Sequence, residues 1–368
     1  MRRFLFVALL IVACRHSSVE GPGVTALPDS VANYFPGETW RRAAPAVVGF
    51  DATRISALES DVAGSRYGAI DALIVVRYGE LVVEKYNNWS ADRAHTMQSV
   101  SKSVTSLLVG ILQSARPDGS ASLDKRIVDI MRRYAPFAND DDRKDALTLR
   151  NLLMMRTSMD FWEQPYSGSP LDQLNRSTGD WTRFIVDRPM TGRPGGTWGY
   201  NSGAAILSCA IIRELSSQSA DEFARRELFA PIGIGGETWF KSPFDGLPHC
   251  GGGLNLRPID MARIGYLVLR HGRWNDRQIV RSGWIDSSTT RLSQGPELIF
   301  SSYNSGYGYF WWTFPTQRGG ADAGVIAASG AGGQWIFIVP SLDLVVAIAA
   351  TNSAGLDLLY DGILASIR

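Results

Sequence analysis

Strand-forming runs stand at both ends of this chain, and a long helical stretch separates them. Near the N-terminal end, "AIDALIVVRYGELVVEKY" holds two β-rich runs around Tyr78-Gly79-Glu80, the pattern of a hairpin. The C-terminal part turns back to β with "YGYFWWTF", "GVIAAS", "QWIFIVP" and "LDLVVAIAA". From about residue 115 to 290 the pattern is mostly helical, as in "LTLRNLLMMRT" and "GAAILSCAIIREL", broken by Gly/Pro/Ser loops. Strands drawn from such distant pieces predict an α+β fold. It is one antiparallel sheet flanked by N- and C-terminal helices, with a large, mostly helical insertion. The first helix starts after Asp51, an N-cap ahead of "ATRISALESDVA"; the last follows Asn352 or Ser353 for about fourteen residues. The expected division is a discontinuous sheet domain, residues 45–95 and 291–368, around a helical domain, 96–290. A crevice between the two is a common place for a site.

With 368 residues, 45% apolar and 20% charged, the chain can bury a substantial core and is not of a disordered class. Its 37 basic residues balance 36 acidic ones with no basic block, which argues against a nucleic-acid partner. Residues 1–13 read as a signal peptide: Arg2 and Arg3, then an apolar run from Phe4 to Ala13. That run is too short for a bilayer-spanning helix, which needs about twenty residues. Its ending, Ile11-Val12-Ala13-Cys14, resembles a bacterial lipobox, with cleavage before Cys14 and lipid on that cysteine. An ordinary secretory signal with an incidental cysteine is the alternative.

Under the lipobox reading the protein is exported and held to a membrane on the periplasmic side. Arg15 does not resemble an inner-membrane retention signal, which favours the outer membrane. Residues 14–44, polar and rich in Pro, Gly and Ser, form a tether. The remaining cysteines, Cys209 and Cys250, are expected as buried free thiols, although one disulfide is open to them. Neither has metal-ligand spacing with His16, His95, His249 or His271.

The chemistry is concentrated in "MQSVSKSVTSLLVGIL", residues 97–112, where one lysine interrupts small and apolar residues. On a helix Ser99 and Lys102 share a face. A lysine on a buried helix is costly unless something uses it. S-x-x-K alone is weak, since Ser122 and Lys125 match it too, but those two sit in a turn-rich stretch beside Arg126. Ser99 instead opens an apolar helix, where unpaired backbone N–H groups, its own among them, can stabilise an oxyanion. A serine hydroxyl needs a base to become nucleophilic. Lys102 fills that role if burial lowers its pKa, or lends positive charge to a second base.

Tyr200, in "PGGTWGYNSGAAILSCAI", stands at the end of a glycine-rich turn ahead of a helix. A phenol becomes a usable base beside an ammonium; by itself such a tyrosine more often packs or caps a loop. In "ASGAGGQWIFIVPSLDLVV", Gly330, Gly332 and Gly333 precede a strand and let backbone approach a ligand, or simply make a turn.

These three elements, S-x-x-K on a helix, Y-x-S before a helix and a glycine-bearing edge strand, resemble the serine β-lactamase and penicillin-binding superfamily. The resemblance runs from about residue 37 onward. It is strongest toward class C-like esterases, D-aminopeptidases and 6-aminohexanoate-oligomer hydrolases, with "NLLMMRTSMDF" and "CGGGLNLRPIDMARIGYLVLRHGRWNDRQIV" among the shared stretches.

The resemblance implies that Ser99 is acylated, Lys102 is its electrostatic partner and Tyr200 is the general base. Ser202 is expected to hydrogen-bond the lysine. The oxyanion hole is expected from the N–H of Ser99 and that of Gln334, with Gly333 next. Where many relatives carry K-T-G or His-x-Gly, this chain has Ala331-Gly332-Gly333, so the group that meets a substrate carboxylate is missing. Small esters or amides are favoured over penicillins. Trp162 and Tyr166, in the loop after "TSMD", and Ala331 and Gly332 are the candidate substrate contacts.

No metal or organic cofactor is implied. A true β-lactamase or D-Ala-D-Ala carboxypeptidase, and a non-catalytic binding lipoprotein of the same fold, are the alternatives. A Ser-His-Asp hydrolase has no G-x-S-x-G elbow to rest on.

Overall fold

The computed structural model describes residues 34–368, so the signal run, Cys14 and most of the tether lie outside the described residues. Asp51 caps helix α1 (Ala52–Ala63), its carboxylate accepting from the N–H groups of Thr53 and Arg54. Strands β1 (Gly68–Arg77) and β2 (Glu80–Tyr86) follow. Arg77 pairs with Glu80, so the hairpin turns on Tyr78 and Gly79 alone, with φ of 52° and 76°. Two positive φ angles give the turn whose twist matches the flanking strands.

The apolar segment singled out from the sequence becomes helix α2 (Val100–Ala115), buried at every residue from Val100 to Leu112. Helix α3 (Ser202–Ser216) and helix α4 (Pro258–Leu269) come from the long middle of the chain. The C-terminal strands are β3 (Trp312–Phe314), β4 (Val325–Gly330), β5 (Gln334–Val339) and β6 (Leu344–Ser353).

They complete one antiparallel eight-stranded sheet in the order β2-β1-β6-β5-β4-β3, followed by two short strands, Gly306–Tyr307 and Ser293–Gln294. The two chain ends therefore meet at its centre, β6 lying between β1 and β5. Strand β5 is buried at all six positions because both faces are covered. Ile336 faces α4, where Gly265 lets the helix approach until a Cβ would lie 2.8 Å from Ile336 and 2.6 Å from Val345. Trp335, on the opposite face, meets Gly355 at the start of the C-terminal helical segment. That segment packs on α1, with Gly362 against Leu58.

Three details depart from the sequence reading. β6 runs through Ser353, so the last helix starts at Gly355 rather than after an Asn352 or Ser353 cap, and its middle, Leu358–Ile363, is π-helical. α4, inside the span read as helical domain, packs on the sheet. That same span also carries the short strands Thr238–Trp239 and Leu254–Leu256, which join His95–Thr96 in a small sheet of their own. Among the described residues no helix is long and apolar enough to cross a membrane.

Candidate active site

Ser99 is placed by the small sheet on one side and α2 on the other. Met97 N–H donates to the Leu254 carbonyl at 2.9 Å, and Gln98 then takes φ of 47°, a left-handed step that turns the chain into the helix. Ser99 itself is already helical, at φ −67° and ψ −6°, and its hydroxyl caps nothing. The hydroxyl instead receives the Lys102 ammonium at 2.9 Å.

Lys102 is 1% exposed and has no carboxylate within ion-pair distance among the described residues. A buried ammonium needs full hydrogen bonding. Its other contacts are the Gly251 carbonyl, at 2.6 Å, and the face of the Tyr200 ring, 4.6 Å from Nζ to the centroid. Lysine, serine and tyrosine therefore meet around one nitrogen. The expected bond from Lys102 to Ser202 is not formed. Gly251 takes that place, packed so closely on Ser202 that a Cβ on Gly251 would lie 2.8 Å from the serine Cβ.

Tyr200 is held at the head of α3 by its neighbours. Asn201 caps the helix through Ala204 N–H at 3.0 Å and donates to Thr157 Oγ1 at 3.2 Å, while the Glu163 carboxylate accepts from Ser202 N–H. The Tyr200 ring lies nearly parallel to Trp312, with 6.3 Å between centroids, and beside Trp198. Behind them Tyr307 is fully enclosed. Burial, with Tyr200 and Glu163 nearby, pushes its phenol well above the usual range and keeps it neutral.

Two cavities meet at Ser99. The first, about 740 Å³, is mostly apolar, walled by Met155, Met159, Phe161, Trp198, Phe300 and Trp312, with Tyr200 and Ser99 at its base. The second, about 460 Å³, is mixed, with Thr96, Gln98, Asn175, His249 and Asn255 beside Leu171 and Phe240. Glu163, Gln164 and Ala331 border both. Trp162 stands at the rim of the first, 42% exposed. Tyr166 lines the second, its hydroxyl accepting from Asn175 at 3.2 Å.

The third motif sits differently from expectation. β4 is internal to the sheet, not an edge, yet β3 ends opposite Ala327, and Ala328–Gly330 have no strand partner on that side. The open stretch lies against the approach to Ser99, so tightly that a Cβ on Gly330 would fall 2.4 Å from the Met97 carbonyl. After Gly330 the chain turns back through Ala331, Gly332 and Gly333, closed by Gly333 N–H to the Gly330 carbonyl at 3.1 Å.

Of these residues only Gly330 and Ala331, with Ser329, face the first cavity. Gln334, Gly333 and Gly332 line neither. The Gln334 side chain is bonded both ways to Ala350 on β6, and Gly333 carbonyl accepts from Ser353 Oγ at 2.9 Å. The tight turn has carried them behind the strand. Among the described residues no carbonyl takes the N–H of Ser99 or that of Ala331.

Sequence reading missed Gly251, Asn201, Glu163 and His249. Only the glycine run "HCGGGL" could have flagged the first and last of these. Cys250, within that run, is joined to Cys209 on α3, with Cα atoms 6.3 Å apart. The expected free thiols are corrected: α3 lies alongside the loop and brings the sulfurs together. No group of three or more His, Cys, Asp or Glu among the described residues could hold a metal ion.

A family model described as Beta-lactamase matches residues 57–362, most of the chain. The chain belongs to the beta-lactamase family. A 6-aminohexanoate-dimer hydrolase of Paenarthrobacter ureafaciens is 25% identical over 311 residues, 80% of this chain and 75% of the relative. A solved structure from Bacillus anthracis, assigned as a 6-aminohexanoate-dimer hydrolase, superposes with a TM-score of 0.69 at 22% identity, over 88% of this chain and 85% of the other. A family VIII carboxylesterase superposes with a TM-score of 0.63 at 15% identity, over 82% and 91%. Likeness at those identities establishes a shared fold. The chain is thus a beta-lactamase-fold hydrolase related to a 6-aminohexanoate-dimer hydrolase, and it shares its fold with a carboxylesterase.

Proposed function

We propose that this beta-lactamase-family protein is a serine hydrolase that cleaves small esters or amides through an acyl-enzyme on Ser99. The observation that carries the reading is the buried Lys102 ammonium, 2.9 Å from Ser99 Oγ and against the Tyr200 ring, below a cavity of about 740 Å³. In the proposed reaction Tyr200, as a phenolate paired with Lys102, takes the Ser99 hydroxyl proton as Oγ adds to the substrate carbonyl carbon. The oxyanion accepts from the N–H groups of Ser99 and Ala331, the latter replacing Gln334 and Gly333. Collapse breaks the bond to the leaving group, which receives the proton from Tyr200. Water then repeats the sequence on the acyl-enzyme and frees the acid.

No arginine or lysine is among the residues that line either cavity, so a substrate carboxylate finds no cation at the surface of the site. This supports uncharged esters and amides over penicillins, and the presence of all three reacting side chains supports an enzyme over a binding protein. The Ile11-Val12-Ala13-Cys14 run supports export and a lipid anchor on Cys14, which Cys14→Ser tests by loss of radiolabelled palmitate from the protein.

Hydrolysis of p-nitrophenyl butyrate tests the main reading. The expected result is turnover that Lys102→Ala and Tyr200→Phe each reduce by a factor of about 10²–10⁴. Nitrocefin turnover exceeding that of the ester would shift the assignment to a β-lactamase, and full activity in Lys102→Ala would end it.

A further inference from the structure

Where β1 pairs with β6 the register shifts twice: Ala69 lies opposite Asn352, Ile70 opposite Ala350 and Ala72 opposite Ala349. Thr351 on one strand and Asp71 on the other are left without an opposite residue. The two offsets cancel, so the sheet gains no realignment from them. Bulges also re-aim side chains, and here they bring the two unopposed ones together. Thr351 Oγ1 donates to Asp71 Oδ2 at 3.1 Å.

The same oxygen accepts from His95 Nε2 at 3.1 Å. Both side chains are enclosed, Asp71 being 6% and His95 4% exposed, and the Trp89 ring packs against His95 with centroids 4.5 Å apart. The other ring nitrogen of His95, Nδ1, lies 2.9 Å from the Thr96 carbonyl. A buried pair of this kind is a weak source of stability, because desolvation offsets the attraction. Its better-attested use is to fix one arrangement of the chain.

Asp71 joins two segments of the site. His95 and Thr96 form the short strand that leads through Met97 and Gln98 into Ser99, with Met97 N–H held by Leu254. Thr351 belongs to the end of β6 on which the turn after β4 is seated. A Cβ on Gly332 would lie 3.0 Å from the Thr351 carbonyl, while Gln334 is bonded to Ala350 and Gly333 to Ser353 on either side of it. One segment carries the nucleophile of the proposed reaction, and the other supports the turn that presents the Ala331 N–H. Asp71, His95 and Thr351 line neither cavity, so they act on the site through these segments.

We propose that Asp71, bonded to both His95 and Thr351, is a positioning residue that sets the distance between Ser99 Oγ and the Ala331 N–H. The inference rests on the proposed reaction. Its effect falls on the chemical step, where the oxyanion forms, and not on substrate binding. A misplacement of about 1 Å can cost a factor of about 10² in rate.

The test is steady-state hydrolysis of p-nitrophenyl butyrate, with kcat and KM resolved. Thr351→Val removes the hydroxyl at an exposed position and keeps the side-chain shape. It is expected to melt with the wild type and to lose about tenfold in kcat at unchanged KM. Thr351→Ser restores most of the rate. Asp71→Ala loses at least as much, and Asp71→Asn, whose oxygen can accept both bonds, keeps most of it. Because both bonds end on one oxygen, Asp71→Ala/Thr351→Val is no slower than Asp71→Ala alone. An unchanged kcat in Thr351→Val, a loss confined to KM, or losses that multiply in the double variant overturn the positioning role while ester turnover by the wild type stands. A wild type that neither cleaves the ester nor takes a covalent label on Ser99 overturns the proposed reaction, and this inference with it.

Discussion

Lys102 and His249 are two basic side chains in one buried neighbourhood, and the structure treats them in opposite ways. Lys102 keeps hydrogen bonds to Ser99 and Gly251 and a ring face at Tyr200, so its charge is answered by dipoles. His249 has no such partners and stays neutral down to about pH 4, against an ordinary value of 6.5. Between those values an unfolded chain binds a proton that the folded chain refuses. Stability therefore falls as pH falls through this window, and above it His249 adds no pH dependence. From pH 7 to pH 5 the loss is about 2 kcal/mol. Urea unfolding should show the wild type losing that much more than His249→Phe over the same interval; parallel losses would mean the imidazole is protonated in the folded state.

At the scale of elements, the loop around Gly251 is what holds the lysine, and two attachments hold the loop. Cys250 is tied to Cys209 on α3, and its carbonyl accepts from Thr105 Oγ1 on α2 at 3.3 Å. The disulfide closes a separation of 41 residues, and chain-entropy arguments put its stabilisation at about 3–4 kcal/mol. Cys209→Ala/Cys250→Ala is expected to melt well below the wild type and to lose ester turnover before it unfolds, since Gly251 then drifts from Lys102. Retention of full turnover up to the melting transition would show that α2 alone positions the ammonium.

What the sequence made legible divides along the same line. Asp51, the Tyr78-Gly79 turn and the α2 segment declared themselves because capping, turn chemistry and periodicity are local. The oxyanion donor proposed at Ala331 and the Gly251 carbonyl that accepts from Lys102 did not. Each depends on which way a turn carries backbone relative to an element more than a hundred residues away. Side-chain motifs show in a sequence, whereas carbonyls and N–H groups look alike at every position.

Over the whole molecule, the sheet closes the chain ends on each other while the site collects residues 99, 102, 200, 251 and 331 from α2, the head of α3, a middle loop and the turn after β4. None of these segments can present the site alone. The expectation of an antiparallel sheet with an α+β arrangement came from the β-rich ends and holds in the eight-stranded sheet. The division of the middle as a separate helical body misread α4, because an amphipathic helix does not announce which layer it will cover.

The site's chemistry rests on one claim, that the Ser99 hydroxyl is activated by what surrounds Lys102. Treating the folded protein with a fluorophosphonate and mapping the modified peptide by mass spectrometry tests it directly. The account predicts a single adduct on Ser99 that disappears in Lys102→Ala; an adduct on another residue, or undiminished labelling of Ser99 without the lysine, would contradict it.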